Sequence, residues 1–184
     1  MDKLTKDIAR LLKDLGVNLE DPNFKDTPTR VAKMYLHFFR NDKDKVIRDI
    51  KKKVFPSEND QIVMVKDIEC FGMCPHHLLP IIYDVVIGYI PNGKVFGLSK
   101  LARLAIAVCS YPKLQEDITR EMADEIEKML HTEGIMVVVR GSHGCMRCRG
   151  IEMNSICITS ECRGVFRKDA AAKAEFLKLL GNGG

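Results

Sequence analysis

The sequence predicts an α+β fold built on an antiparallel sheet. Three observations carry that reading. The apolar period is helical up to about residue 53 and becomes strand-like from Gln61 onward. Two more strand-like runs, 135–139 and 151–160, follow a pair of helical stretches. The resulting order, strand–strand–helix–helix–strand–strand, pairs hairpins around two helices, which gives an antiparallel sheet rather than the parallel sheet of alternating units.

Each element has a local cause. Leu4, Ile8, Leu11, Leu12 and Leu15 recur at helical spacing, and Gly16 supplies the stop. Asp26-Thr27-Pro28 offers an N-cap with proline early in the next helix, whose apolar face is Val31, Met34, Tyr35 and Phe38. Residues 42–53 are basic and helical in pattern. The stretch from Lys51 to Asn59, with Pro56, reads as a join between a helical N-terminal extension, residues 1–58, and a main domain, residues 59–184. In that domain Ile62–Val65 and Val85–Ile90 read as strands, and Pro91-Asn92-Gly93-Lys94 as a turn. Leu98–Val108 and Leu114–Leu130 are helical, with Tyr111-Pro112 between them, and Ala170–Leu180 is a closing helix that ends at Gly181.

The chain has 184 residues, 46% hydrophobic and 29% charged, which is ordinary for a globular protein. A chain of this size buries about 70% of its unfolded surface and needs no staple. A net charge of +4 helps to attract a polyanion such as a nucleotide but does not mark a nucleic-acid binder. The first residues are charged, without an apolar signal core, and no apolar run has the length of a membrane span. The seven cysteines are odd in number and lack a scaffold spacing. The reading is a reducing, cytoplasmic protein whose cysteines are thiols or metal ligands. Cys70, Cys109 and Cys157 read as small core residues, Cys162 as a strand-end thiol, and His37 and His131 as helix-surface and helix-end residues.

Chemistry concentrates in two segments, Cys74-Pro75-His76-His77 and His143-Gly144-Cys145, which hold three of the five histidines. Thiolate and imidazole are the donors zinc prefers. Cys74, His77 and Cys145 make a three-ligand set that leaves a fourth position for water, as a catalytic zinc requires. The alternative is a closed structural site, because Cys145-Met146-Arg147-Cys148 supplies a fourth donor in Cys148. His76 and His143 favour the open reading, since a structural site gains nothing from two further imidazoles and a hydrolytic site gains proton transfer.

Two other patterns suit a nucleotide. Ser99, Lys100 and Arg103 open a helix after Gly97, joining a hydroxyl and two cations to a helix N-terminus; a solvated basic face is the plainer reading. Gln115-Glu116 opens the next helix, where an amide beside a carboxylate suits the N–H edge of a purine, although acidic residues are common in a first turn. Arg149 follows the Cys145 segment closely enough to share its pocket, while Arg30 is unremarkable on pattern alone.

Together these residues resemble the GTP cyclohydrolase I family. The matching motifs are Cys74-Pro75-His76-His77, Gly88-Tyr89-Ile90-Pro91, Gly97 through Arg103, Gln115-Glu116, His143-Gly144-Cys145 with Arg149-Gly150, Thr27 through Tyr35, and Glu175-Phe176-Leu177. The likeness runs from about residue 26 to residue 179. It implies a tunnelling fold, with two helices on one face of an antiparallel sheet. It also implies a homodecamer of stacked rings with active sites between subunits. Carried over to this sequence, the zinc ligands are Cys74, His77 and Cys145, and His76 and His143 transfer protons. Gln115 and Glu116 hold the guanine, Ser99 contacts the ribose or phosphates, and Lys100, Arg103, Arg149 and Arg30 hold the triphosphate, Arg30 from a neighbouring subunit. The implied reaction opens the imidazole ring of GTP, releases formate and yields 7,8-dihydroneopterin triphosphate.

The match has departures. Pro75 stands where a glutamate is usual, Tyr83-Asp84 where a Gly-Lys pair is usual, and Asp117 where an arginine is usual. Ser110-Tyr111-Pro112-Lys113-Leu114 replaces an Arg-rich stretch, and Arg140 stands where an acidic residue is frequent. These changes spare the metal and phosphate sets and fall around the base. They admit a divergent member that acts on another purine nucleotide or stops at a ring-opened product. Two rivals differ in class: a tunnelling-fold nitrile reductase of the queuosine route, whose cofactor motif is not found here, and a zinc-stabilised binding module closed by Cys148.

Overall fold

The structure, a computed structural model, describes residues 1–39 and 42–181. The chain divides into two compact units, Met1–Arg40 and Asn41–Gly184. The first holds helices α1 (Asp2–Asp14) and α2 (Thr27–Phe38), packed on each other. The Gly16 stop is a full helix cap. Gly16, at φ 82°, donates its N–H to Lys13 O and Val17 donates to Leu12 O, both at 2.9 Å, which satisfies two terminal carbonyls. Asp26 precedes α2 as expected, but its carboxylate makes no capping bond and faces Arg30 instead, at 3.6 Å. Pro28 and Ala32 are the buried residues of α2, and Met34 stays exposed.

The second unit runs α3 (Lys43–Lys51), β1 (Val54–Pro56), β2 (Val63–Met73), β3 (Pro80–Pro91), β4 (Lys94–Phe96), α4 (Leu98–Cys109), α5 (Gln115–Met129), β5 (Thr132–His143), α6 (Gly144–Arg147), β6 (Ile156–Gly164), α7 (Val165–Lys168) and α8 (Ala170–Gly181). Against the division expected at residue 58, α3 and β1 lie in this second unit. The main sheet is antiparallel throughout, in the order β2-β3-β5-β6, and β1 pairs with β4 in a small second sheet.

Strand alternation sorts the side chains. Ile81, Tyr83, Val85, Ile87 and Tyr89 of β3, with Ile135, Val137 and Val139 of β5, join Leu101, Leu104, Ile118, Met122 and Ile126 of α4 and α5 in one core. The opposite face, with Val86, Met136 and Val138, is covered over one end by Phe166 and Phe176 of α7 and α8. Burial on both faces explains why 135–139 reads as an unbroken apolar run. The rest of that face is open, and Phe71, Ile82, Ile156 and Ile158 are exposed on it.

Two expectations shift. Lys94, the last residue of the turn expected over 91–94, opens β4 (Lys94–Phe96), where Phe96 N–H donates to the buried Tyr89 Oη at 3.0 Å. The last strand starts at Ile156, not Ile151, because Met153 N–H bonds back to Met146 O at 2.8 Å and closes a loop with Glu152 at φ 53°.

Candidate active site

One end of the sheet carries the chemistry. Cys74 follows β2, and the loop to β3 is closed by two backbone bonds at its own base. Cys74 N–H donates to Leu79 O and Leu78 N–H donates to Cys74 O, both at 2.9 Å. Leu78 takes a left-handed conformation, φ 53°, a costly geometry for a branched residue that the closed loop enforces. Pro75 lacks an N–H, but neither closing bond needs one there, so this departure removes a carboxylate without opening the loop.

The loop brings His77 Nδ1 to 3.6 Å from Cys74 Sγ. Cys145, on α6 just past β5, completes a set in which the three donor atoms lie within 4.8 Å of one another. A tetrahedral ion with bonds of about 2.3 Å to sulfur and 2.0–2.1 Å to nitrogen separates such donors by about 3.6 Å, so these residues fit a metal ion. Burial, followed by the hydrogen bond and charge of the neighbouring Cys74, pushes the Cys145 thiol up.

Cys148 lies outside this set. Its exposed thiol donates to Gly144 O at 2.9 Å, so among the described residues the group has three donors. His76 Nδ1 lies 4.0 Å from Cys74 Sγ. Arg149 Nη1 rests against His77 Nε2, the ring edge opposite the thiols. An imidazole that ligates through Nδ1 carries its hydrogen on Nε2, which leaves Arg149 no acceptor there and frees it for an anion.

His143, the last residue of β5, sits beside this set and is held from α5. Gln115 is buried, and the two hydrogens of its Nε2 are shared among Val139 O at 3.0 Å, Cys157 O at 3.1 Å and Thr159 Oγ1 at 3.2 Å. The amide oxygen therefore points to His143, with Oε1 at 2.8 Å from Nε2. Since carbonyl oxygens only accept, His143 Nε2 is the donor and Nδ1 keeps the free lone pair. Burial lowers the His143 pKa, and the charge of Glu116 opposes that shift in part. Gly141 makes the contact possible: a Cβ there would lie 2.2 Å from Gln115 Oε1 and 3.0 Å from His143 Nε2.

The other expected residues are placed as follows. Glu116 is exposed at the start of α5, one residue beyond the inward-turned Gln115. Ser99, Lys100 and Arg103 lie on the first turns of α4 after Gly97, where Lys100 N–H bonds Gly97 O at 2.8 Å. Arg30 lies in the first unit. Sequence reasoning assigned Gln115 to the base and did not see its inward role; burial of the helix's first residue is the signal that separates the two. A cavity of about 540 Å³ lies on the other side of the sheet, lined by Asp67, Glu69, Ile82, Asp84, Arg140 and Ser142 among others, and holds none of the metal donors.

The GTP cyclohydrolase I family profile matches residues 4–181. GTP cyclohydrolase 1 of Brevibacillus brevis is 40% identical over 185 residues, covering 98% of this chain and 97% of that protein. GTP cyclohydrolase 1 of Halalkalibacterium halodurans is 41% identical over 184 residues, covering 97% and 96%. Among solved structures, the archaeosine synthase QueF-Like in the apo form overlaps 55% of this chain and 93% of that one, at 15% identity and a TM-score of 0.44, too loose an overlap to bear on activity. With a match along nearly its whole length and relatives at this identity, the chain belongs to the GTP cyclohydrolase I family.

Proposed function

We propose that this protein is a zinc-dependent GTP cyclohydrolase I, which hydrolyses GTP to 7,8-dihydroneopterin triphosphate and formate. The observation that carries the reading is the three-donor set of Cys74, His77 and Cys145 beside a histidine whose tautomer is fixed. Zinc is the metal this donor set suits, and when bound it supplies Lewis-acid activation of water near neutral pH.

The chain's own residues supply the rest. His143, neutral because burial lowers its pKa, takes a proton at Nδ1 and returns it to the purine ring as the C8–N bond opens. Gln115 Oε1 accepts from Nε2 in both protonation states and keeps the ring from turning. His76, exposed beside Cys74, is the second proton-transfer group. Glu116 faces the N–H edge of the base. Gln115, expected on the base as well, has its side chain committed to strands β5 and β6 and to His143, so its contribution to the base is left to its backbone. Ser99, Lys100, Arg103 and Arg149 take the ribose and triphosphate, with the positive end of the α4 dipole favouring an anion. Arg30 joins them from a neighbouring subunit.

Assembly as a homodecamer, with active sites between subunits, is part of the same proposal. The outer edges of β2 and β6 have no strand partner among the described residues, and unpaired edges favour extension of the sheet from subunit to subunit. No helix among the described residues is long and apolar enough to cross a membrane. A cytoplasmic location suits seven free thiols, and neither a nucleic acid nor a membrane is among the proposed partners.

The test is to incubate the zinc-loaded protein with GTP and with related purine nucleotides and to read products by mass. Formate and a dihydropterin triphosphate from GTP are expected, and His143→Ala is expected to keep its metal while losing turnover. Zinc-loaded protein that yields neither formate nor a ring-opened product from GTP removes GTP as the substrate. Turnover of a different purine nucleotide alone marks a divergent cyclohydrolase.

A further inference from the structure

The run Cys145-Met146-Arg147-Cys148 puts two thiols one helical turn apart, and only the first belongs to the metal set. Cys148 N–H donates to Gly144 O at 3.1 Å, which closes residues 144–148 into a single turn. Side chains three apart on such a turn share a face, with Cβ atoms about 5–6 Å from each other. A disulfide needs about 3.5–4.5 Å, so the turn has to tighten by about 1–2 Å. Little resists that movement. The turn buries no residue, and Cys148 has already left helical geometry, at φ −108° and ψ 3°. Its thiol gives up one bond, to Gly144 O at 2.9 Å.

The two thiols differ as the members of a redox pair do. Cys148 is exposed and is not a metal donor, so an oxidant meets it first. Cys145, half-buried in the same turn, is placed to resolve an oxidised Cys148. Cys74 is the other sulfur near Cys145, but it is buried, and two backbone bonds close its loop.

We propose that Cys145 and Cys148 form a reversible disulfide that empties the metal site under oxidising conditions. The proposal rests on the zinc-dependent reading above. The oxidant is a peroxide. Its O–O bond breaks as an S–O bond forms on Cys148, which leaves a sulfenic acid and one water. Cys145 Sγ then attacks Cys148 Sγ. The S–S bond forms, the S–O bond breaks, and the hydroxyl leaves as a second water, its proton coming from the Cys145 thiol or, where that sulfur is ligated, from solvent. Hydrogen peroxide takes the two electrons that the sulfurs lose. Cys74 and His77 are then the two donors left, too few for the four-coordinate geometry that zinc adopts. A dithiol reductant restores both thiols and, with zinc, the site.

The test compares the full-length, zinc-loaded parent with Cys148→Ala under excess hydrogen peroxide, with zinc release followed by a chromogenic chelator and the products mapped by mass. Trypsin cuts after Arg147, between the two cysteines, so the disulfide alone joins the two peptides. The parent is expected to release its zinc, to lose two hydrogens and to yield those joined peptides, and a dithiol with added zinc is expected to restore metal content. Cys148→Ala is expected to release zinc about tenfold more slowly, because the exposed thiol that starts the reaction is gone. Release at the parent's rate from the variant, a link between Cys74 and Cys145 in the parent, or zinc retained over a further oxidised Cys148 each overturns the proposal while the cyclohydrolase reading stands. Zinc content and formate release from GTP, measured before peroxide is added, test that reading separately. Should the parent hold no zinc or release no formate, that reading fails, and the peptide map still decides for the pair: joined peptides support the disulfide and their absence removes it.

Discussion

His143 Nε2 and Gln115 Oε1, 2.8 Å apart, join the end of β5 to the first turn of α5 and fix which imidazole nitrogen is free. The amide can face His143 only with its oxygen, because its nitrogen is spent on Val139 O and Cys157 O. Gln115→Ala removes all of this at once. It should cost about 1–3 kcal/mol of stability, because two strand carbonyls lose their donor, and it should lower kcat more than it raises KM. Equal kcat in the variant, measured at saturating GTP, would deny the residue any part in holding His143.

A smaller change reaches the same contact from within β5. Gly141→Ala places a methyl group 2.2 Å from Gln115 Oε1 and 3.0 Å from His143 Nε2, so the amide and the imidazole must separate. The expected result is at least a tenfold loss of kcat, on the scale of a misplaced catalytic group, with zinc content unchanged. Retained activity in a crystal structure with both side chains displaced would show that their alignment is not needed.

The pH dependence follows from burial of His143, which lowers its pKa below the ordinary 6.5. For a base whose folded pKa is depressed, the unfolded chain binds the extra proton first. Its contribution to stability is therefore complete above about 6.5 and declines as pH falls from there toward the folded pKa. The acid limb of kcat/KM should likewise lie below 6.5, and Gln115→Glu should move it upward, because a carboxylate favours the imidazolium. An acid limb that stays in place in Gln115→Glu would assign it to another group.

How much of this was legible in the sequence depends on what each residue's role requires. The metal set was readable because zinc ligation needs particular donor types, and Cys74, His77 and Cys145 are few enough to stand out. The alternation of β3 gave its strand, and the apolar periods of α4 and α5 gave the helices. The direction of Gln115 was not readable, since an amide at a helix start looks the same whether it faces solvent or the sheet. Tyr83 registered only as a departure from the family pattern, because its burial is a property of the folded chain. Two other departures lose their force in the structure. Asp84 and Arg140 are register partners on β3 and β5 and line the cavity on the open face, away from the metal set. Opposite charges across a strand pair are favourable by themselves, so this pair carries no evidence for an altered base pocket.

Cys148 decides between an open and a closed metal centre. With its thiol turned to Gly144 O, Cys148→Ala should leave zinc stoichiometry and turnover within about twofold of the parent, whereas Cys145→Ala should lose the metal. Atomic emission on the dialysed proteins measures both.

The most direct measurement is zinc K-edge X-ray absorption on the purified, zinc-loaded protein. The three donors of Cys74, His77 and Cys145, with solvent in the remaining position, predict two sulfur scatterers at about 2.3 Å and two lighter ones at about 2.0–2.1 Å. A spectrum that requires three sulfurs would bring Cys148 into the coordination sphere, close the site to water, and contradict the hydrolytic account.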